Sequence, residues 1–418
     1  MGGVGAMNKK QFKILFVLIL LGSLLYFVAN FQRIAIPGAI FDILEQELSV
    51  TAPYITTFGA IFMYVYALTQ LINGVLVDRY GGYRVMGLGA IILAIGCIIF
   101  PITDNLGLMY FSRGLMGLGG SMFYLSLIKE LGNIFEEKDF GLALSVMLFI
   151  GYAGGIAANA PFVMAMKFLS WREILLIIAG IVAVATIAYL IFFKKIDPQP
   201  VNKHVKLRAL PFRLVLHKKH NRNLFSFACC NFGISYVIQT VIGKKFLEDF
   251  CSMTTGKAAI ILSLMAIVAA VFNIVNASAC RLCHNHRVLF LKGASVITFI
   301  SLLLICIFIY FDLKTLAIPV IFCVLAGNAS LSSLLVPVLH ITNRKMVSGT
   351  AVSILNFGFF MVVGILGTIT GIVLNLFEPT RIGNTLVYSN KSYLLLFGIF
   401  LFLSLYEMYK AAKLSDRY

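Results

Sequence analysis

The sequence predicts an all-α membrane protein with twelve transmembrane helices in two pseudo-symmetric halves of six. Three observations carry that prediction. Of the 418 residues, 60% are apolar and only 12% are charged, against about 45–50% and about 25% in soluble domains. The apolar residues gather into twelve runs, most of them near the roughly 20 residues a helix needs to cross a bilayer. A single long polar break, residues 194–222, divides the runs six and six.

In chain order, the first run covers 14–36. It is too long for the apolar core of a cleaved signal peptide, and no small-residue cleavage site follows it. Tyr26, Asn30 and Arg33 fall on it at i, i+4 and i+7, one stripe of a helix. The second run, 53–76, carries Tyr64, Tyr66 and Gln70. Between it and the third, 85–103, lies the charged hairpin NGVLVDRYGGYRVMG, whose Gly81-Gly82 pair permits a tight turn. The fourth run, 106–130, holds Arg113 seven residues from its outer end, roughly 10 Å deep at 1.5 Å per residue. The fifth, 140–166, repeats polar groups every seven residues at Ser145, Tyr152 and Asn159, the last two within the glycine-rich GYAGGIAANAP. The sixth, 172–193, begins at SWRE.

The second half follows as 223–246, 257–279, 288–311, 314–339, 348–375 and 392–410. Asn231, Ser235 and Gln239 recur every four residues on the seventh run, with Lys244 and Lys245 expected at the membrane interface beyond them. Asn328 and Ser332 lie on the tenth, and His340 at its inner end. Ser353 and Asn356 lie on the eleventh. The halves echo one another. GLALS begins at Gly141 and GTAVS at Gly349, an offset of 208, and the same offset carries Asp78, Arg79 and Arg84 onto His286, Arg287 and Lys292. Internal duplication about a central loop is a signature of secondary transporters. The expected organisation is therefore 1–193, a basic linker 194–222, and 223–418.

The net charge of +17 does not point to nucleic acid. With the N-terminus inside, 24 of the 34 Lys and Arg fall on the cytoplasmic side, the positive-inside pattern, which places both termini in the cytoplasm of a cell whose inner membrane holds the chain. The eight cysteines are scattered and imply no disulfide framework. CRLCHNH, Cys280 to His286, has zinc-like spacing and also resembles a haem attachment site, but a polar loop is the favoured reading. No metal, cofactor or enzymatic chemistry is expected. The partners expected are a small-molecule substrate and membrane lipid, with the chain acting as a monomer.

The hairpin pattern Gly74-x-x-x-Asp78-Arg79-x-Gly81, ending in Arg84, resembles the signature loop between spans two and three of the major facilitator superfamily. RGLMGLGG around Arg113, SWRE and the twelve-span layout resemble it too. One basic residue of the usual pair is missing, since Gly82-Tyr83-Arg84 follows the second glycine. The resemblance implies the major facilitator fold, alternating access, and a cavity lined by spans one, four, seven and ten and flanked by two, five, eight and eleven. It also implies that Gly74, Asp78, Arg79, Gly81 and Arg84 form a conformational latch, with Asp78 facing the start of span eleven near Ser348 and Gly349.

Polar side chains within a membrane face the bundle or a watery cavity. The expected substrate contacts are Arg113, Arg33, Tyr26, Asn30, Tyr64, Gln70, Tyr152, Asn159, Asn231, Gln239, Asn328 and Asn356. Arg113 is expected to matter most, with Arg33 shallower and snorkelling outward. All seventeen Asp and Glu, among them Asp42, Glu130, Glu173, Glu248 and Glu407, are read as lying in loops or at span ends. The buried charge is then positive. LLYFVANFQRIAIPGAI is similar to the organic-anion branch, although Ala29 stands where that branch carries arginine. The reading is secondary active or facilitative transport of a carboxylate, phosphate ester or zwitterionic peptide. Efflux of drugs or metabolites by an antiporter is the alternative, and a non-transporting receptor or scaffold is a third class.

Overall fold

The computed structural model describes residues 9–196, 212–284, 286–343, 345–382 and 385–415. Ten helices among the described residues are long and apolar enough to cross a membrane. They are Gln11–Ala39, Ala52–Tyr80, Gly82–Ile102, Trp171–Phe193, Lys219–Asp249, Thr255–Leu282, Arg287–Tyr310, Ala317–Thr342, Thr350–Leu374 and Asn390–Ala412. Spans four and five complete the expected twelve but are interrupted. Span four runs as Leu106–Ser121 and Phe123–Ile134, and span five as Glu137–Ala157 and Ala160–Ala165. Pro161 explains the second break. It has no N–H to offer, and its ring clashes with the carbonyl four residues back.

Large apolar side chains such as Ile95, Phe149, Val184 and Ile274 stand exposed on the outside of the bundle, the arrangement lipid requires. Inside, small residues bring backbones together, as is usual where lipid removes the hydrophobic drive between helices. A Cβ on Gly117 of span four would sit 2.6 Å from the Phe62 carbonyl oxygen of span two, and one on Gly119 would sit 2.6 Å from the Gly89 carbonyl oxygen of span three. Spans one to six pack mainly on one another, as do spans seven to twelve. Span two against span eleven, span five against span eight, and the far ends of spans one and seven join the two groups.

The fold is all-helical apart from a short antiparallel hairpin, Thr380–Ile382 with Thr385–Val387, before span twelve. Three expectations change. Lys244 and Lys245 are not at an interface with lipid. They are 3% and 2% exposed and paired with Asp42, Glu248 and Asp249, because the far ends of the two groups meet there and seal the charges together. Glu407 is not at a solvated span end. It is fully buried on span twelve, where its Oε1 accepts from Asn231 Nδ2 at 2.9 Å, since the amide on span seven supplies the donor that lipid cannot. Glu130 is likewise buried, and its Oε1 accepts the Gly82 N–H at 2.7 Å. Most of the linker, residues 197–211, lies outside the described residues, and Phe212–Leu216 beyond it is a short helix. In CRLCHNH, Cys280 is buried on span eight and Cys283 exposed in the turn that follows. Asn285 lies outside the described residues.

The close approach at Gly117 has a measurable consequence. Gly117→Ala should cost about 1–3 kcal/mol, as overpacking does, and lower the melting temperature of the purified protein. Gly398→Ala on span twelve meets nothing within 4 Å and should leave that temperature unchanged or raise it.

Candidate functional site

A cavity of about 110 Å³ lies between the two groups of helices. Span one contributes Asn30, Arg33 and Ile34, and span five Gly151, Tyr152 and Gly155. Span seven contributes Phe232, Ser235, Tyr236 and Gln239. Spans eight and ten add Asn273, Ser330 and Ser332 among smaller residues.

Arg33 is the cationic side chain in that lining. Its guanidinium carbon lies 5.5 Å from the centre of the Tyr66 ring, 5.7 Å from that of Tyr236 and 5.3 Å from that of Phe360. These rings belong to the middle of spans two, seven and eleven. Side chains on a helix tilt toward its N-terminus, so on span one, whose N-terminus is at the face bearing both termini, Arg33 reaches back into the bundle. It does not snorkel outward. Asn30 Oδ1 accepts from Arg33 Nη2, and the Asn30 amide is itself held by the Tyr26 carbonyl at 2.8 Å. Among the described residues no carboxylate lies within ion-pair distance of Arg33, and its buried Nε has no hydrogen-bond partner.

The rings stabilise the charge by cation–π attraction, about 0.5–2 kcal/mol each. Three such contacts sum to about 1.5–6 kcal/mol, the same size as the roughly 2.5–3.5 kcal/mol cost of a deep arginine on insertion scales. Rings accept few hydrogen bonds, however, and a guanidinium has five N–H donors. The charge is thus held in place by Asn30 and the tyrosines around it, with Nε left without a partner among the described residues.

Arg113 is placed differently from its expectation. It is fully buried and does not line the cavity. Its Nε donates to the Phe58 carbonyl (3.0 Å), its Nη1 to that of Gln32 (2.9 Å) and its Nη2 to that of Ile36 (2.9 Å), with the Phe62 ring 4.7 Å away. Span one breaks at Ile36, where φ is −119° and ψ is 118°. The Ile40 N–H, which would serve the Ile36 carbonyl in a regular helix, donates to Pro37 instead. Arg113 takes the orphaned carbonyl and so stabilises the bend that follows Arg33.

The other expected contacts divide. Asn30, Arg33, Tyr152 and Gln239 share the cavity, and Tyr26 lies one turn before Asn30. Tyr64 instead bonds Thr368 (2.9 Å) between spans two and eleven, and Gln70 donates to the Ser121 carbonyl (3.3 Å) at the break in span four. Asn159 donates to the Gly155 carbonyl (3.1 Å) at the break in span five. Asn231 joins Glu407 and Thr298, and Asn328 reaches Thr298 (2.8 Å) and the Ala294 carbonyl (2.7 Å). Asn356 is half-buried on span eleven, outside the lining.

The reason for the split on span seven is geometric. Residues four apart drift about 40° around a helix of 3.6 residues per turn. By Gln239 the stripe has turned about 80° from Asn231, which faces spans nine and twelve. The spacing 232, 235, 236 and 239 is the one that faces the cavity, and the aromatic pair Phe232 and Tyr236 at i, i+4 was its signal.

At the hairpin, Asp78 pairs with Lys129 of span four at 3.1 Å, and Lys129 also donates to the Val77 carbonyl at 2.9 Å. Gly81 has φ +84°, a conformation that a side chain disfavours. Arg84 Nη1 caps the Tyr80 carbonyl (3.2 Å), Arg79 stacks on Tyr80, and Gly74 is open on its exposed side. The side chains of 344–349, where the partner of Asp78 was expected, lie outside the described residues.

A family model described as Major Facilitator Superfamily matches residues 22–368. The chain belongs to the Major Facilitator Superfamily. Within it, the chain is 24% identical over 167 residues to a chloroplastic ascorbate transporter of Arabidopsis thaliana, covering 40% of this chain and 31% of that one. It is 20% identical over 186 residues to the probable sulfoacetate transporter SauU of Cupriavidus necator (44% and 42%). It is 28% identical over 158 residues to the chloroplastic sodium-dependent phosphate transport protein 1 of Arabidopsis thaliana (37% and 30%). The matched stretches thus span less than half the length of these curated relatives. A crystal structure of a bacterial homologue of the human lysosomal transporter Spinster superposes with a TM-score of 0.66 at 15% identity, over 89% of this chain and 84% of that one. It is a likeness of fold.

Arg113→Lys separates bracing from binding. Lysine cannot reach three carbonyls in a planar fork, so the variant should lose about 2–4 kcal/mol of stability, read as a lower melting temperature. The surviving folded protein should keep its affinity for any cavity ligand within about twofold, checked by titration on the same preparation.

Proposed function

We propose that the protein carries a small organic anion across the cytoplasmic membrane by alternating access, with Arg33 as the group that holds the anion. The observation that carries this reading is the Arg33 guanidinium, caged by Tyr66, Tyr236 and Phe360 and turned to a cavity without a described carboxylate partner. An anion with two oxygens meets the guanidinium by charge-assisted, bidentate bonds. Asn30, Tyr152, Ser235 and Gln239 supply further polar contacts around it. The relatives named for ascorbate, sulfoacetate and phosphate share a negative charge and little else, which suits a site built around one cation.

The distribution of Lys and Arg supports a cytoplasmic location for both termini. The cavity is enclosed by one chain, which supports a monomer as the working unit. Helices one to six and seven to twelve act as the two moving bodies, joined by the linker. In this reading the hairpin is a switch. Asp78 is 67% exposed on its side chain and exchanges Lys129 for the start of span eleven as the terminal face closes. Efflux of an apolar metabolite would leave the caged Arg33 without a partner, so the anion reading is preferred.

Proteoliposome uptake of labelled ascorbate, sulfoacetate and inorganic phosphate, with glucose and choline as controls, tests the proposal. At least one anion should enter and neither control should. Arg33→Lys should weaken apparent affinity tenfold or more, because a point charge cannot replace the fork, and Arg33→Gln should abolish uptake while melting near the wild-type temperature. Wild-type uptake by Arg33→Gln would overturn the reading.

The hairpin gives a second outcome. Asp78→Asn should slow uptake several-fold with anion affinity unchanged. An unaltered rate would remove the switch from the mechanism.

A further inference from the structure

The face opposite the termini is closed by charged side chains that the anion site does not use. Asp42 and Glu45 stand on the short helix Phe41–Leu48 after span one. Lys244, Lys245, Glu248 and Asp249 stand at the far end of span seven. Lys245 bridges the two groups of helices, 2.5 Å from Asp42 Oδ1 and 2.9 Å from Asp249 Oδ1. Lys244 lies 3.0 Å from Glu248 and 3.8 Å from Asp42. Beside them the backbones of spans one and seven nearly touch, since a Cβ on Gly38 would meet the Thr240 carbonyl oxygen at 2.6 Å. This is the seal of the far face.

The seal holds two cations and four carboxyls. Asp42 is held ionised: burial pushes its carboxyl up, but Lys245 and Lys244 outweigh that and keep it below its ordinary range. Glu45 is the carboxyl with no lysine of its own, whereas Glu248, pushed up by burial to about 7 as well, keeps Lys244 beside it at 3.0 Å. It is 4% exposed. Its Oε1 accepts from the Tyr388 hydroxyl, which in turn accepts the Ala52 N–H of span two (3.2 Å). Its Oε2 is buried and has no partner among the described residues. The other charged groups around it are Lys245, already shared by Asp42 and Asp249, and those two carboxylates. Asp249 is further occupied by the Tyr388 N–H (3.0 Å) and the Tyr393 hydroxyl (2.7 Å). A bare carboxylate oxygen in such a place is costly, whereas a protonated carboxyl is not.

We propose that Glu45 is a proton-binding site that fills as the far face closes and empties as it opens, so that closure of this face takes up a proton from the adjoining solution. The inference rests on the alternating-access part of the proposed function, not on the identity of the anion. It also supplies the titratable carboxyl that the sequence reading did not find. Burial, against the opposing pull of Tyr388 and Lys245, raises the Glu45 carboxyl from its ordinary value near 4.5 to about 7. When the face opens and water reaches the group, it returns toward the ordinary value. The sign follows. Protonation favours the closed form, fully so below the open-state value, and that contribution is lost as pH rises through about 7.

The test needs no substrate. Spin labels replace Phe168 and Leu316, which stand 86% and 78% exposed on far-face loops of the two groups, in full-length protein in nanodiscs with Cys283 changed to Ser. Their distance distribution is measured by pulsed electron resonance from pH 5 to pH 8. In the wild type the short-distance population should grow relative to the long one by up to about tenfold per pH unit as pH falls from 7 to 5. Glu45→Gln, which keeps shape but cannot ionise, should respond to pH much less steeply than the wild type, with only Glu248 left in the seal to titrate near 7. Tyr388→Phe removes a donor that favours the ionised form and should move the midpoint to higher pH. Glu47→Gln, whose carboxylate pairs with Arg172 within the first group, should respond like the wild type. A Glu45→Gln protein with the wild-type pH response, or a wild type with none, overturns the proposal. If the anion reading alone is wrong, Arg33→Gln uptake remains while this pH response persists.

Discussion

Everything at the centre of this molecule depends on how the break in span one is satisfied. A helix interrupted within a membrane leaves backbone carbonyls with neither a helical donor nor water, each a cost of several kcal/mol. Pro37 and the extended Ile36 create such a break, and Arg113 from span four repairs it with three hydrogen bonds to carbonyls of spans one and two. One side chain thereby joins three helices. The repaired bend sets the last turns of span one, with Arg33 before it and the far-face seal after it. The glycines of RGLMGLGG serve the same end, because span four must lie against spans two and three closely enough for Arg113 to reach.

The buried charges then sort by how fully they are compensated. Arg113 is satisfied by backbone and has little left to offer a ligand. Lys244 and Lys245 are satisfied by carboxylates. Arg33 is stabilised by ring faces and Asn30 and keeps its Nε without a partner among the described residues. Depth alone therefore does not identify a binding arginine. What matters is whether the partner that offsets its desolvation also uses its hydrogen-bonding capacity. By that criterion Arg33 outranks Arg113, the reverse of the order that depth along the helix suggests. Glu407 and Glu45 are the same argument with the sign changed, since each is buried with one carboxyl oxygen lacking a donor.

The two ends of the bundle are built differently. At the far face, ion pairs, a tyrosine hydroxyl network and a backbone contact between Gly38 and Thr240 converge. At the face bearing the termini, the described contacts of the hairpin run within the first six helices, Asp78 to Lys129 and Gly82 to Glu130. A cavity between the groups, sealed at one end by charges, is the asymmetry that the proposed cycle requires.

By itself the sequence determined the solvent, the spans and the family. A chain with 60% apolar residues in twelve runs must satisfy its backbone within lipid, and helices do so locally, so span positions follow from composition and length. Arg33, Asn30, Tyr152 and Gln239 were legible as cavity residues because polar groups on a membrane helix must face inward. Tertiary structure decided which inward-facing groups line the cavity and which meet each other. Periodicity identifies a face of one helix but not the neighbour opposite it, so Asn231, Asn328, Gln70 and Tyr64 carried the same signal and found protein partners. The acidic seal was hidden for a related reason. Asp42, Glu45, Lys244 and Lys245 lie about 200 residues apart in groups that read as loop and span end, and only the meeting of spans one and seven removes them from water.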